Sequence, residues 1–230
     1  MKILGLIPAR GGSKGIPDKN KKLLNGKPLL QYTIEAALNS KLLDSVIFSS
    51  EDESLIRIAK DLGVEIPFIR PEKLASDKAG SIEVIVHAVK KLLELGEEYD
   101  AVCLLQVTTP FRTSFDIDNA INKFITEKKD ALISVQKVPH QYNPHWVFKT
   151  TESNSLKIAT GESNIIKRRQ DLPITYIRDG AIYITKTEVI LGQYSFFGKS
   201  TSFIEFDPKH HINIDTIEDW KKAEEIAKNM

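Results

Sequence analysis

At 230 residues, the chain is long enough for one sizeable core and too short for two full domains of ordinary size. Charged residues make up 27%, hydrophobic residues 41%, and the formal net charge is +1. This balance excludes a disordered polyelectrolyte and a wholly basic nucleic-acid surface, and points to a small partner.

The apolar stretch Ile3 to Ile7 has the length and branching of a buried strand. It runs straight into Pro8-Ala9-Arg10, too soon for a signal peptide or membrane span, so a cytoplasmic location is expected. Pro28 suits the first turn of a helix over Leu29 to Leu38. A strand over Val46 to Ser49, a helix over Ser54 to Leu62 closed by Gly63, and a strand over Val64 to Ile69 follow. Ser81 is placed to cap a helix over Ile82 to Leu93. A strand is expected over Ala101 to Gln106, then a helix over Ile117 to Phe124 with Ser114 as its cap, then a strand over Ala131 to Val135. The single cysteine, Cys103, lies in the apolar run Ala101 to Val107, which excludes an intramolecular disulfide and assigns it to core packing.

Strand and helix alternate, which predicts an α/β fold: a mainly parallel, twisted sheet with helices on both faces and ligands beyond the carboxyl ends of the strands. The rhythm breaks after Val138. Residues 139–175 read as an insertion within a single domain, 1–230. It carries a β-hairpin of Trp146 to Thr150, a polar turn Thr151 to Ser155, and Leu156 to Ile158. So short a hairpin buries little area alone. Its aromatics Tyr142, Trp146 and Phe148 are expected to pack on another subunit or back on their own sheet. A strand over Thr175 to Thr185 and a helix over Ile217 to Ala227 close the chain.

The first strand ends in Ile7-Pro8-Ala9-Arg10-Gly11-Gly12-Ser13-Lys14-Gly15-Ile16-Pro17-Asp18-Lys19-Asn20-Lys21. Glycines let backbone N–H groups approach phosphate oxygens, and Arg10, Lys14 and Lys19 or Lys21 offset the charge of a triphosphate. A merely solvated basic loop is the plainer reading, but its place after the first strand favours phosphate. The spacing is neither GxxxxGK[ST] nor GxGxxG, which argues against a P-loop and a dehydrogenase. His87, His140, His145, His210 and His211 lack the spacing of a zinc site, and the last two are expected to flank a final strand.

Three motifs stand in order: Ile7 to Gly15 with Lys19-Asn20, then Arg70-Pro71-Glu72-Lys73-Leu74-Ala75-Ser76-Asp77, then Leu104-Leu105-Gln106-Val107-Thr108-Thr109-Pro110-Phe111-Arg112. Arg169-Gln170-Asp171-Leu172-Pro173, Asp179-Gly180-Ala181-Ile182-Tyr183, Phe196-Phe197 and Ile212-Asn213-Ile214-Asp215 follow. On these residues the whole chain resembles the acylneuraminate cytidylyltransferases, the CMP-sialic acid synthetase family that includes enzymes activating legionaminic and pseudaminic acids.

The resemblance implies a Rossmann-like nucleotidyltransferase fold and a homodimer built on the inserted hairpin. It implies CTP as co-substrate, bound by Arg10, Gly11, Ser13, Lys14, Lys19 and Asn20, with Arg70 and Ser81 framing the nucleoside. Read alone, Arg70 is a surface cation before a turn proline and Ser81 a helix cap. Gln106, Tyr183, Phe196 and Phe197 fall at the family's sugar-acid site. Arg169 matches an arginine that reaches the acid or the phosphates, often from the neighbouring subunit. Asp215 matches a carboxylate that binds Mg²⁺, or else caps the last helix. Many members read Asp-Ile-Asp where this chain has Asn213-Ile214-Asp215, so Asn213 is only a weak second ligand.

The implied reaction is in-line attack of the sugar's anomeric hydroxyl on the α-phosphorus of CTP, with Arg10, Lys14, Lys19 and Asp215 as catalytic residues. The expected acceptor is a nine-carbon acid, N-acylneuraminate or N,N'-diacetyllegionaminate. Pseudaminate, an eight-carbon acid, or a non-catalytic nucleotide-sugar binding module are the alternatives.

Overall fold

The computed structural model describes residues 1–76, 79–208 and 212–229. Asp77 of the second motif, His210 and His211 fall outside the described residues. The chain opens with β1 (Ile3–Pro8), a flap of β2 (Leu23–Leu24) and β3 (Lys27–Pro28), and α1 (Leu29–Leu38). Then come β4 (Ser45–Ser49), α2 (Glu53–Asp61), α3 (Ser81–Glu94), β5 (Ala101–Leu104), α4 (Ser114–Glu127) and β6 (Ala131–Lys137). The hairpin of β7 (Phe148–Thr150) and β8 (Leu156–Ile158) follows, then β9 (Tyr176–Lys186), α5 (Thr187–Gln193), β10 (Thr201–Glu205) and α6 (Ile217–Lys228).

Among the described residues the main sheet has six strands in the order β10-β6-β9-β5-β1-β4. All neighbours pair in parallel except β9, which runs antiparallel between β5 and β6. Both faces are covered, which is why β1 reads as a continuous apolar run. Ile3 and Ile7 join a core with α1, α2, α4 and α6, while Leu4 and Leu6 join a core with α3 and α5. Cys103 is buried in the first of these layers, and burial pushes its thiol up to about 12. No helix among the described residues is long and apolar enough to cross a membrane.

Several expectations shift. Val64 to Ile69 is not a buried strand: it makes one bridge, Glu65 to Ile47, and Ile69 is 68% exposed. Pro67 sits in its middle and has no N–H to give a ladder. The caps of α3 and α4 are Gly80 and Thr113, each one residue before the serine expected in that role. Thr113 forms a reciprocal capping box with Asp116. The hairpin starts at Phe148 rather than Trp146, because Pro144–Trp146 forms a 3-10 turn capped by Asn143. Trp146 is half-buried and its indole N–H donates to the Ile166 carbonyl at 2.7 Å, so it packs within its own segment. Tyr142 (66%) and Phe148 (46%) stay exposed.

Two local devices shape the edge of the sheet where the strand-to-helix loops emerge. One is a register break between β9 and β6, where residues 179–182 stand opposite Ser134. Gly180 takes φ +81° there, a conformation that glycine adopts freely. The Ser134 hydroxyl bonds the Asp179 carboxylate and accepts the Ile182 N–H at 2.8 Å. The other is Arg112, only 2% exposed. Its guanidinium donates to the carbonyls of Ala181 (2.6 Å) and Gln106 (2.8 Å) and to the hydroxyls of Thr33 (2.8 Å) and Thr109 (3.1 Å). Burial lowers its pKa to about 10, so it is charged at neutral pH.

Arg112 therefore ties the loop after β5 to β9 and α1. Arg112→Met keeps much of the volume but strands buried acceptors, and is expected to cost about 2–4 kcal/mol of stability. A shift of the urea midpoint at constant slope checks this; a change below about 0.5 kcal/mol, the size of an ordinary surface substitution, would show that the strut does not matter.

Candidate active site

The loops after β1, β4 and β5 meet at the carboxyl edge of the parallel strands, where ligands bind in open α/β sheets. They enclose a cavity of about 410 Å³ lined by Arg10, Ser13, Lys14, Gly15, Lys19, Asn20, Arg70, Ser81, Gln106 and Asp215, among others. Its charged lining is four cations, Arg10, Lys14, Lys19 and Arg70, against one carboxylate, Asp215, and the amino end of α3 adds its partial positive charge at Gly80 and Ser81. The arrangement suits a polyphosphate.

The loop after β1 is held from both sides. Asn20 is buried, and its amide donates to the Arg10 carbonyl at 2.9 Å, closing the loop on itself. Arg10 donates to the Ala75 carbonyl at 3.3 Å. Lys19 donates to the Ile214 carbonyl at 2.6 Å and lies 3.4 Å from the Asp215 carboxylate. Gly15 packs against the Asp215 backbone so tightly that a Cβ would sit 2.5 Å from its carbonyl oxygen. The predicted nucleotide residue Gly11 points its N–H at Glu51 (2.9 Å) rather than into the cavity.

Arg70 is no surface cation: it is 4% exposed, and its guanidinium bonds the Ala9 carbonyl and the Glu51 carboxylate, each at 2.5 Å. Nor does Ser81 cap its helix, for it lines the cavity from the first helical turn. Asp215 does not cap α6, because Thr216 does so with Asp219. The Asp215 carboxylate instead accepts from Lys19 and from the Asn213 amide at 2.6 Å. Among the described residues no three His, Cys, Asp or Glu side chains gather as a metal cage. One carboxylate beside one amide still fits a hard cation that draws its remaining oxygens from phosphate and water.

A second cavity, about 530 Å³, adjoins the first through Ser81 and Gln106, which line both. Its wall includes Gln136, Arg178, Asp179, Gly180, Tyr183 and Asn213. Burial pushes the Tyr183 phenol up, with the neighbouring Arg178 opposing that shift. Phe196 supports Tyr183 from behind, ring centres 5.8 Å apart, and Phe197 is 41% exposed beside it. Neither phenylalanine lines this cavity. Arg169 lies apart, in a third cavity of about 350 Å³ with Lys137 and His140, which shares no lining residue with the other two. Of the predicted site residues, then, Arg169, Phe196 and Phe197 stand outside the two joined cavities, and Gly11 faces Glu51.

Sequence reading missed Glu51, Arg112 and Arg178. Glu51 had a signal: it stands at the carboxyl end of β4, one residue before the α2 cap Asp52.

The cytidylyltransferase family profile matches residues 4–230. The chain is 35% identical to pseudaminic acid cytidylyltransferase of Campylobacter jejuni over 228 residues, covering 99% of this chain and 97% of that one. It is 32% identical to CMP-N,N'-diacetyllegionaminic acid synthase of Legionella pneumophila, covering 98% and 96%. To N-acylneuraminate cytidylyltransferase of Escherichia coli it is 35% identical over 96% of this chain and 51% of that one. Among solved structures, a CMP-2-keto-3-deoxy-manno-octonic acid synthetase in complex with CTP matches the whole of both chains with a TM-score of 0.75 at 16% identity, which supports the fold.

Glu51 braces both the Gly11 N–H and Arg70, so Glu51→Gln should keep the shape and loosen both. Calorimetric titration with CTP is expected to show affinity weakened by about 10-fold, the size of one charge-assisted bond. Unaltered affinity would show that the brace does not reach the ligand.

Proposed function

The chain belongs to the cytidylyltransferase family, and from that premise we propose that it transfers CMP from CTP to the anomeric hydroxyl of a nine-carbon nonulosonic acid. The observation that carries this reading is the pair of joined cavities, one rich in cations and one lined by amides, a phenol and an arginine, meeting at Ser81 and Gln106. The named relatives act on three different acids, so the proposal is for the class, with N-acylneuraminate, diacetyllegionaminate and pseudaminate as its members.

In the reaction the anomeric oxygen attacks the α-phosphorus in line. The new oxygen–phosphorus bond forms as the bond to the β-phosphate bridge breaks, pyrophosphate leaves with that electron pair, and the hydroxyl proton passes to solvent. Little covalent chemistry falls to the protein, whose work is alignment and charge stabilisation. Arg10, Lys14 and Lys19 would hold the triphosphate and offset charge on the leaving group. Ser13, Asn20, Arg70 and Ser81 would seat the nucleoside. Gln106 and Tyr183 would bind the acid, with Phe196 and Phe197 stiffening Tyr183. Asp215, helped weakly by Asn213, would hold Mg²⁺ once Lys19 turns to phosphate. When bound, that ion supplies Lewis-acid polarisation of phosphoryl oxygens.

We also propose a homodimer, supported by exposed Tyr142 and Phe148 on the inserted segment. Arg169, which lines neither of the two joined cavities of its own chain, would then serve the neighbouring site.

Lys14→Ala and Asp215→Ala are each expected to lower turnover by about 100-fold or more. Their thermal midpoints should stay within about 4 °C, since both side chains are exposed. Pyrophosphate release from CTP and the three acids measures this, and near-native turnover in both variants would sink the assignment. Light scattering on native protein and on Phe148→Glu should report a dimer and a weakened dimer, and a fully active native monomer would overturn the dimer proposal.

A further inference from the structure

The acceptor acid carries a carboxylate on the same carbon as the attacking hydroxyl, so whatever grips the carboxylate also aims the nucleophile. A carboxylate entering a partly desolvated site needs a cation or several donors. The four cations lining the first cavity, Arg10, Lys14, Lys19 and Arg70, face a triphosphate with negative charge enough to occupy all of them, and Arg70 is already paired with Glu51. Within its own chain Arg169 lines a cavity that shares no lining residue with the acceptor side, so any part it plays there comes from a neighbouring subunit.

Among the described residues, Arg178 is the one cation lining the second cavity. The strand pairing explains how it gets there. Arg178 stands opposite Val135, just before the register break at 179–182, and the break carries β9 from this arginine to the buried Tyr183 on the same cavity wall. Arg178 and the Tyr183 phenol share this wall, and the charge of the guanidinium opposes the upward push that burial gives the phenol. The one carboxylate on this wall among the described residues, Asp179, is 8% exposed, and one of its oxygens accepts from the Ser134 hydroxyl and from the Ala181 N–H (2.9 Å).

We infer that Arg178 binds the carboxylate of the acidic sugar from within the same chain and thereby sets both the preference for acids and the aim of the anomeric hydroxyl. This rests on the proposed reaction. A planar fork that binds a carboxylate through two parallel bonds fixes orientation, which a lysine ammonium does not.

The test compares kcat/KM for the C1 carboxylate and the matching C1 carboxamide of N-acetylneuraminate, diacetyllegionaminate and pseudaminate, in native protein, Arg178→Gln, Arg178→Lys and Arg169→Gln. Native protein is expected to prefer the acid, and Arg178→Gln to lose about 10- to 100-fold of that preference, the value of a charge-assisted pair, with KM for CTP little changed. Arg178→Lys should recover part of it. An undiminished preference in Arg178→Gln, or its loss in Arg169→Gln instead, overturns the inference while the reaction stands. Native protein that converts none of the three acids removes the proposed reaction itself.

Discussion

Cations gathered at one edge of a sheet repel each other, and the fold has to hold them there before any ligand arrives. It does so by stitching the loop after β1 to the segment before α6, nearly two hundred residues away. Lys19 reaches the Ile214 carbonyl and the Asp215 carboxylate, and Gly15 lets the loop lie flat against the Asp215 backbone. On the other side Glu51 takes the Gly11 N–H and the Arg70 guanidinium. The carboxylates thus offset part of the mutual repulsion of these cations within the folded chain. Such preorganisation is how a site stabilises charge without reorganising at the moment of reaction.

The acceptor side depends on a different constraint. An antiparallel β9 between two parallel strands brings its early residues to the same edge as the loops of the parallel ones. The register break opposite Ser134 then carries the strand from Arg178 to Tyr183 along one cavity wall, and Gly180 tolerates the turn. Arg112 locks the loop carrying Gln106 to this strand through carbonyls on both. Gln106 is therefore positioned by a buried charge it does not touch with its own side chain, and it marks the boundary where nucleotide and acceptor would meet.

Much of this was legible in the residues. Buried strands covered on both faces leave uninterrupted apolar runs, and β1, β4, β5 and β6 were found that way. The glycine and cation loop announced the first cavity because its chemistry is local. What escaped depends on partners distant in sequence. Arg70 looks like a surface cation until Glu51 folds onto it, and Arg112 looks like a motif residue until four acceptors surround it. Val64 to Ile69 has the composition of a strand, yet Pro67 denies it the ladder. Ser81 and Ser114 were each one residue beyond the true cap, an ambiguity of helix ends that side-chain identity alone does not resolve. The amphipathic stretch of α5 and the edge strand β10 were too short and too mixed to read. The place of Arg169 in a separate cavity follows from the insertion's path, which no periodicity encodes.

The measurement that bears most directly on the account follows one oxygen. Native protein is incubated with CTP, Mg²⁺ and each nine-carbon acid labelled with ¹⁸O at the anomeric hydroxyl, and the products are weighed by mass spectrometry. Attack at the α-phosphorus predicts a CMP-sugar that keeps the label and pyrophosphate that lacks it. An unlabelled CMP-sugar with the label lost to water would contradict attack by the anomeric oxygen, and no CMP adduct with any of the acids would contradict the reading of the two cavities as donor and acceptor sites.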